Sequence, residues 1–174
     1  MLKRFFALGA AVLTTLVSAC EDGPRTQSGG WRSAAVWSSM VYASANGPIF
    51  LEVHGEPFAP MALSAMDVAM GMSDKLVGRK LAFTPVRASA LRPEFKVVLA
   101  FNPPANADPR DLCEGAIATA AQPGEQITVL AVFCDKSGIL SSVQGWVSKV
   151  SGPDDPRFRR LLGQVTRDLI GSAP

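Results

Sequence analysis

The sequence predicts an α+β domain in which a mixed or antiparallel sheet of about four or five strands carries about three helices, packed mainly on one face. Three observations lead to this prediction. Residues 156–170 have a clear helical period, residues 127–150 contain two apolar strands joined by a tight turn, and helix-like and strand-like segments alternate earlier in the chain. The strand order stays open.

The first half of the domain is predicted to run helix, strand, helix. Apolar residues at spacings of three and four indicate a helix within residues 31–45, which Asn46-Gly47-Pro48 ends. Residues 49–54 alternate between apolar and polar, which is typical of a strand with one buried face and an end at Gly55. A second helical period covers residues 59–80, with an apolar stripe containing Leu63, Met66, Met70 and Val77.

The second half is predicted to be rich in strands. Residues 80–86 and 94–101 are strand candidates, and residues 107–115 suit a helical turn. Residues 125–134 are apolar on both faces, which predicts a central strand, and residues 139–150 form its hairpin partner. In the last helix Asp155 is the expected N-cap, Pro156 the first helical residue and Gly171 the stop.

The first twenty residues resemble a bacterial lipoprotein signal. Lys3 and Arg4 precede an uncharged apolar run of about thirteen residues, which is short for a membrane-spanning helix of about 20 residues. The run ends in Val17-Ser18-Ala19-Cys20, which is similar to the lipobox of small or aliphatic residues before a cysteine. The resemblance implies a diacylglycerol on Cys20, cleavage before it and an acyl chain on the new amino group.

This resemblance predicts a domain that lies on a membrane without crossing it. One acyl chain binds a bilayer only marginally, whereas two or three on one residue anchor stably. We therefore expect a signal peptide at residues 1–19, a lipid attachment site and flexible tether at residues 20–30, and one globular domain at residues 31–174. The expected location is the bacterial cell envelope, facing the periplasm, at the outer rather than the inner membrane.

Charge argues against a nucleic-acid partner. Without Lys3 and Arg4 the chain keeps fifteen basic residues against fifteen acidic ones, so the mature protein is formally neutral. A nucleic-acid-binding domain would have a basic face. The expected partners are therefore the membrane, through the lipid anchor, and possible envelope proteins.

Two cysteines remain after Cys20. Cys113 and Cys134 would lie in an oxidising compartment, where an even pair predicts a structural disulfide. A metal pair or a redox pair is the alternative, but the chain has no C-x-x-C motif and a single histidine.

The sequence contains no familiar catalytic motif, and it predicts neither a cofactor nor a metal site. It has no G-x-S-x-G, S-x-x-K, H-E-x-x-H, G-x-G-x-x-G or Walker loop. One candidate polar site contains Glu52 and His54 on one strand face and Glu56 just beyond. Its alternative is a histidine beside a turn, because a metal site usually needs three or four ligands.

Methionines form a second candidate. Met61, Met66, Met70 and Met72 are soft ligands that suit Cu(I), but at 3.6 residues per turn only Met66 and Met70 share a face. Filling of the core is the expected role.

These observations favour a non-catalytic accessory or binding module held at a membrane surface. A carrier of a small ligand or lipid and a hydrolase with a non-standard site are the alternatives.

Overall fold

The computed structural model describes residues 23–119, 125–136 and 138–172. Within them the chain forms one mixed sheet of six strands with four α-helices, which confirms the α+β class with somewhat more elements than predicted. The strands are Arg25–Arg32 (β1), Ile49–His54 (β2), Phe83–Thr84 (β3), Phe95–Phe101 (β4), Gln126–Asp135 (β5) and Gly138–Ser148 (β6). The helices are Val36–Ala43 (α1), Ala65–Met72 (α2), Pro109–Glu114 (α3) and Pro156–Ile170 (α4).

The strand order is β1-β6-β5-β4-β2-β3. The neighbouring pairs β1–β6, β6–β5 and β5–β4 are antiparallel, whereas β2 runs parallel to both β4 and β3. The predicted hairpin is confirmed, with β5 and β6 paired from Gln126↔Ser148 to Asp135↔Gly138. Because β5 has a neighbour on each side and packing on each face, seven of its ten residues are buried, as its apolar composition predicted.

Three helices cover one face of the sheet, and α3 covers part of the other. The first face forms the main core with α1, α2 and α4. Aromatic rings pack at its centre, where the Phe158 ring of α4 contacts Phe58 edge-to-face and Phe101 at a tilt, with ring centroids 4.9 and 5.8 Å apart. The second face packs Val98, Leu130 and Val132 against Leu112 of α3. The prediction of helices mainly on one face is therefore confirmed.

The last helix forms where its local signals placed it. Asp155 caps α4 by accepting from the Arg157 N–H, and Pro156 occupies the first turn. At the other end the Arg32 guanidinium donates to the backbone carbonyls of Asp168 and Ile170, 2.9 and 2.5 Å away. These carbonyls lack partners within the helix, so β1 supplies the C-terminal cap.

The predicted tether at residues 20–30 is wrong for its second half. Residues from Arg25 onward form β1, an edge strand that pairs with β6 from Arg25↔Trp146 to Ser28↔Val143. No residue of β1 is buried, because the strand is attached by backbone hydrogen bonds rather than by an apolar face. The domain therefore begins near residue 25 instead of 31, and Cys20 lies outside the described residues.

Helix α2 is shorter than the predicted period and presents a different face. Ser73 ends it, since its hydroxyl donates to the Ala69 carbonyl and accepts from the Phe83 N–H. The buried residues are Val68, Ala69 and Met72, while Met66 and Met70 are exposed and Val77 lies beyond the helix, 94% exposed. The predicted stripe failed because it assumed one helix through residue 80. Helix α1 likewise covers only part of its predicted segment.

Candidate functional site

Glu52 of the predicted polar site is bound to a lysine. Strand alternation puts Glu52 on the sheet face opposite the main core, and the parallel neighbour β4 brings Lys96 beside it. The Lys96 Nζ lies 3.1 and 3.3 Å from the two carboxylate oxygens of Glu52. Both side chains are mostly buried, with 14% of Lys96 and 23% of Glu52 exposed. The carboxylate is thus already neutralised by an ion pair.

His54 lies at the edge of this pair. Its Nε2 is 3.9 Å from the Glu52 Oε2, which exceeds hydrogen-bond length. Among the described residues this nitrogen is enclosed and has no hydrogen-bond partner, although the ring as a whole is 39% exposed. The geometry therefore gives Glu52 no role in orienting the imidazole, which a histidine base in a triad would need.

Glu56 does not join the cluster. Gly55 follows β2 with φ +88°, a conformation that favours glycine, and the chain turns there. A Cβ at Gly55 would also lie 2.5 Å from the Phe101 carbonyl oxygen. Beyond the turn, a Glu56 carboxylate oxygen accepts from the Leu63 N–H at 3.2 Å and closes the loop between β2 and α2. The predicted grouping of Glu52, His54 and Glu56 becomes Glu52, His54 and Lys96.

Sequence reasoning missed Lys96 because its partner lies 44 residues away. One signal was present, since Lys96 is a charged residue within the apolar alternation of β4. A charge at such a position needs an opposite charge nearby.

The cysteine prediction is confirmed. Cys113 of α3 and Cys134 of β5 form a disulfide with an S–S distance of 2.03 Å and a Cα–Cα distance of 5.7 Å. Both residues are buried in the smaller core beneath α3. The bond therefore fastens a six-residue helix to the central strand.

The methionines are split between core and surface. Met72 is fully buried, as core filling requires, whereas Met61, Met66 and Met70 are 50%, 45% and 62% exposed. Core filling is therefore wrong for these three. In the part of the chain that the structure describes, no group of three His, Cys, Asp or Glu side chains is placed to hold a metal ion.

A groove lies between α2 and the first half of α4, with a volume of about 280 Å³. The helices approach closely at Gly71, where a Cβ would lie 2.7 Å from the Leu162 Cδ1. The groove combines apolar and charged side chains. Its apolar lining includes Leu63, Met70, Phe158 and Leu162, and its charged lining includes Asp67, Lys75, Asp154 and Arg159. We call it the α2–α4 groove.

A second groove of about 300 Å³ opens on the face that carries α3. It lies between the loop after β4 and the paired ends of β5 and β6. Its lining includes Pro103, Pro104, Ala105, Leu130, Gln144 and Trp146. We call it the Trp146 groove.

Comparisons with known proteins give no relative for this chain. No protein-family model, no curated protein and no solved structure matches it. Among the described helices, none has the length and apolar character needed to cross a bilayer.

Proposed function

We propose that this protein is a lipid-anchored component of the bacterial cell envelope whose domain is a non-catalytic binding module. Support for the anchor comes from the resemblance of residues 17–20 to a lipobox and from the short apolar run before them. The proposed location is the periplasmic face of the outer membrane. The domain begins only a few residues after Cys20, which suits a module held close to a membrane.

The α2–α4 groove is the proposed binding surface. The observation that carries this proposal is the exposure of Met66 and Met70, four residues apart on one face of α2, beside the apolar lining of the groove. Methionine side chains are flexible and polarizable, and they recur on surfaces that accept apolar partners. Exposed apolar groups gathered next to a groove mark interaction sites more often than isolated ones do.

The rim of the groove indicates the chemistry of the partner. Asp67 and Asp154 are acidic, and Lys75 and Arg159 are basic, so the rim carries both signs in equal number. The Arg159 guanidinium is already paired with the Asp154 carboxylate at 2.5 Å. An amphipathic segment of another envelope protein, with an apolar anchor and mixed charges, fits such a surface.

Size favours a protein side chain over a lipid or small molecule. Small-molecule sites typically occupy about 300–1,000 Å³ and enclose most of the ligand. The α2–α4 groove, at about 280 Å³, falls at the lower limit. One or two apolar side chains of a partner would fill it.

Site-specific photocrosslinking tests the binding surface. A photoreactive residue at position 70 should give a discrete adduct with an envelope protein in intact cells. The same residue at position 77 is the matched control, because Val77 is also exposed but lies beyond α2. The substitution Met66→Asp, which puts a carboxylate on the same face of α2, should reduce the position-70 adduct at least tenfold. Equal adducts at both positions, or none at position 70, would reject the groove.

Mass spectrometry tests the anchor separately. The mature N-terminal peptide should begin at Cys20 and carry the mass of a diacylglycerol with an added acyl chain. Density-gradient fractionation should place the protein in the outer membrane. An unmodified Cys20 would remove the anchor from the proposal.

A further inference from the structure

The proposed anchor leaves little freedom to the domain. Five residue steps separate Cys20 from Arg25, the first residue of β1. Such a segment spans at most about 18 Å in any conformation. Strand β1 itself is about 23 Å long at 3.3 Å per residue. The start of β1 therefore stays close to the membrane, whereas its far end reaches the bilayer only if the domain lies on its side.

The start of β1 identifies one end of the molecule. Arg25 pairs with Trp146 near the end of β6, and Trp146 pairs in turn with Thr128 near the start of β5. The Asn102 N–H donates to the Thr128 carbonyl, which brings the loop after β4 to the same place. We call this the anchor end; it contains Arg25, Trp146, the loop 102–108 and the segment 149–155.

The anchor end includes an apolar patch. The Trp146 groove opens there, with Pro103, Pro104, Ala105 and half-buried Trp146 around it. Tryptophan is favoured at membrane interfaces because its ring is apolar and its indole N–H remains hydrated. Apolar contact at this end can therefore add to the lipid anchor.

The exposed charges of the anchor end do not oppose its contact with the membrane. Exposed Arg25 and Lys149 lie at the anchor end together with exposed Asp108, Glu125 and Asp154, so both signs are present. A net attraction of this end to anionic headgroups is not required, and apolar contact would suffice on a zwitterionic bilayer.

The exposed edge of β1 is a poorer membrane contact. It carries polar and glycine residues along most of its length, and Trp31 near its far end is its one large apolar side chain. Arg32 is engaged in capping α4. A domain lying on this edge would bring mainly polar groups to the bilayer, at a cost in desolvation.

We propose that the domain stands on its anchor end, with the Trp146 groove and Pro103-Pro104 in contact with the lipid surface. This inference rests on the proposed lipid anchor. In this orientation α1 and the far end of β1 are directed away from the bilayer, into the aqueous compartment.

Tryptophan quenching by lipids tests this orientation, because the chain has three tryptophans at known places. The lipidated protein is reconstituted into phosphatidylcholine vesicles that contain lipids brominated near the headgroup. One variant, W31F/W37F, retains only Trp146; its matched control, W37F/W146F, retains only Trp31. We expect quenching of Trp146 to exceed that of Trp31 at least threefold. Circular dichroism verifies that both variants are folded.

The outcomes separate the inference from the function on which it rests. Equal quenching of both tryptophans would indicate a domain lying on β1, and quenching of neither would indicate a freely tumbling domain; either result overturns the inference while the anchor stands. Failure of the wild-type protein to float with the vesicles would instead overturn the proposed anchor.

A matched pair of charge substitutions, each made in the W31F/W37F variant, provides a second test that leaves Trp146 unchanged. Ala105→Asp adds a carboxylate beside the Trp146 groove, and Ala34→Asp adds one at an exposed position just after the far end of β1. We expect Ala105→Asp to lower the quenching of Trp146 at least twofold and Ala34→Asp to leave it unchanged. Equal effects of the two substitutions would contradict the proposed contact.

Discussion

Asp155 should stabilise this fold through both its shape and its charge, and substitutions can separate the two. Its carboxylate accepts from the Arg157 backbone N–H at 2.8 Å, as an N-cap does, and forms a two-pronged pair with the Arg157 guanidinium at 3.2 and 3.0 Å. The Ser151 N–H and hydroxyl also donate to it, at 3.1 and 3.2 Å. The carboxylate therefore joins the loop after β6 to the start of α4.

The expected magnitudes follow from these contacts. Loss of an N-cap costs about 1 kcal/mol. The pair with Arg157 adds less than about 1 kcal/mol, because 36% of the Arg157 side chain is exposed and water screens it. Hydrogen bonds from Ser151 to a charged, buried acceptor add about 1 kcal/mol more. We expect Asp155→Ala to lower the free energy of unfolding by about 2–3 kcal/mol, and Asp155→Asn, which keeps the cap, by about 1 kcal/mol.

The charge contribution should depend on pH. Hydrogen bonds from Arg157, followed by those from the backbone, outweigh the effect of burial and hold the pKa of Asp155 well below its usual range. A carboxyl whose pKa is lowered by folding stabilises the protein above its unfolded pKa of about 3.9, and this contribution declines as the pH falls below that value. The stability difference between wild type and Asp155→Asn should therefore be constant above about pH 5 and shrink between about pH 4 and pH 2.

Urea unfolding of wild type and both variants at several pH values measures these effects. The chain also offers a matched control, because Asp108-Pro109-Arg110 repeats the triplet Asp155-Pro156-Arg157. Asp108 caps the six-residue α3 through the Arg110 N–H and is exposed. Asp108→Ala should cost about 0.5–1 kcal/mol, as for an exposed cap. Equal losses for Asp155→Asn and Asp155→Ala, with no change between pH 7 and pH 2.5, would refute the reasoning.

Three further predictions concern packing, cross-linking and capping. Gly145→Ala should destabilise the protein by about 1–3 kcal/mol in chemical denaturation, because the new Cβ would lie 2.9 Å from the Leu161 Cδ1. The control Gly47→Ala should change the stability by less than about 0.5 kcal/mol, since its Cβ would make only ordinary van der Waals contacts. Replacing Cys113 and Cys134 together by Ala should lower the free energy of unfolding by about 3 kcal/mol, because the disulfide no longer restricts the 21-residue loop in the unfolded chain. A loss below about 1 kcal/mol would contradict a stabilising role of the disulfide. Arg32→Met should lower the free energy of unfolding by about 1–2 kcal/mol by leaving the last carbonyls of α4 without their donor; an unchanged thermal midpoint would count against the cap.

Elements with local signals were predicted well. The final helix begins at Pro156 and ends at Ile170, where a capping aspartate, a proline and a terminal glycine coincide with an amphipathic period. Residues 125–134 were assigned to the centre of the sheet because a strand covered on both faces has such a composition. In both cases the sequence close by contains most of the free-energy terms that determine the element.

Elements that depend on distant partners were predicted poorly. Strand β1 has no apolar alternation, so only the backbone of β6 reveals it as a strand. The helix predicted over residues 59–80 is too long, because the Ser73 hydroxyl ends α2 and accepts from the Phe83 N–H, ten residues onward. The candidate site also depends on a distant partner, because Lys96, and not the predicted Glu56, lies beside Glu52.

The sequence by itself determined the α+β class, the hairpin, the last helix, the cysteine pair and the resemblance of its first twenty residues to a lipoprotein signal. These features arise from periodicity, capping chemistry and composition, which act over a few residues. Only the tertiary structure decided the strand order, the exposure of Met66 and Met70, the ion pair of Glu52 and the side of the domain to which the N-terminal strand belongs. Each of these depends on which segments meet across long stretches of chain, and local patterns do not contain that information.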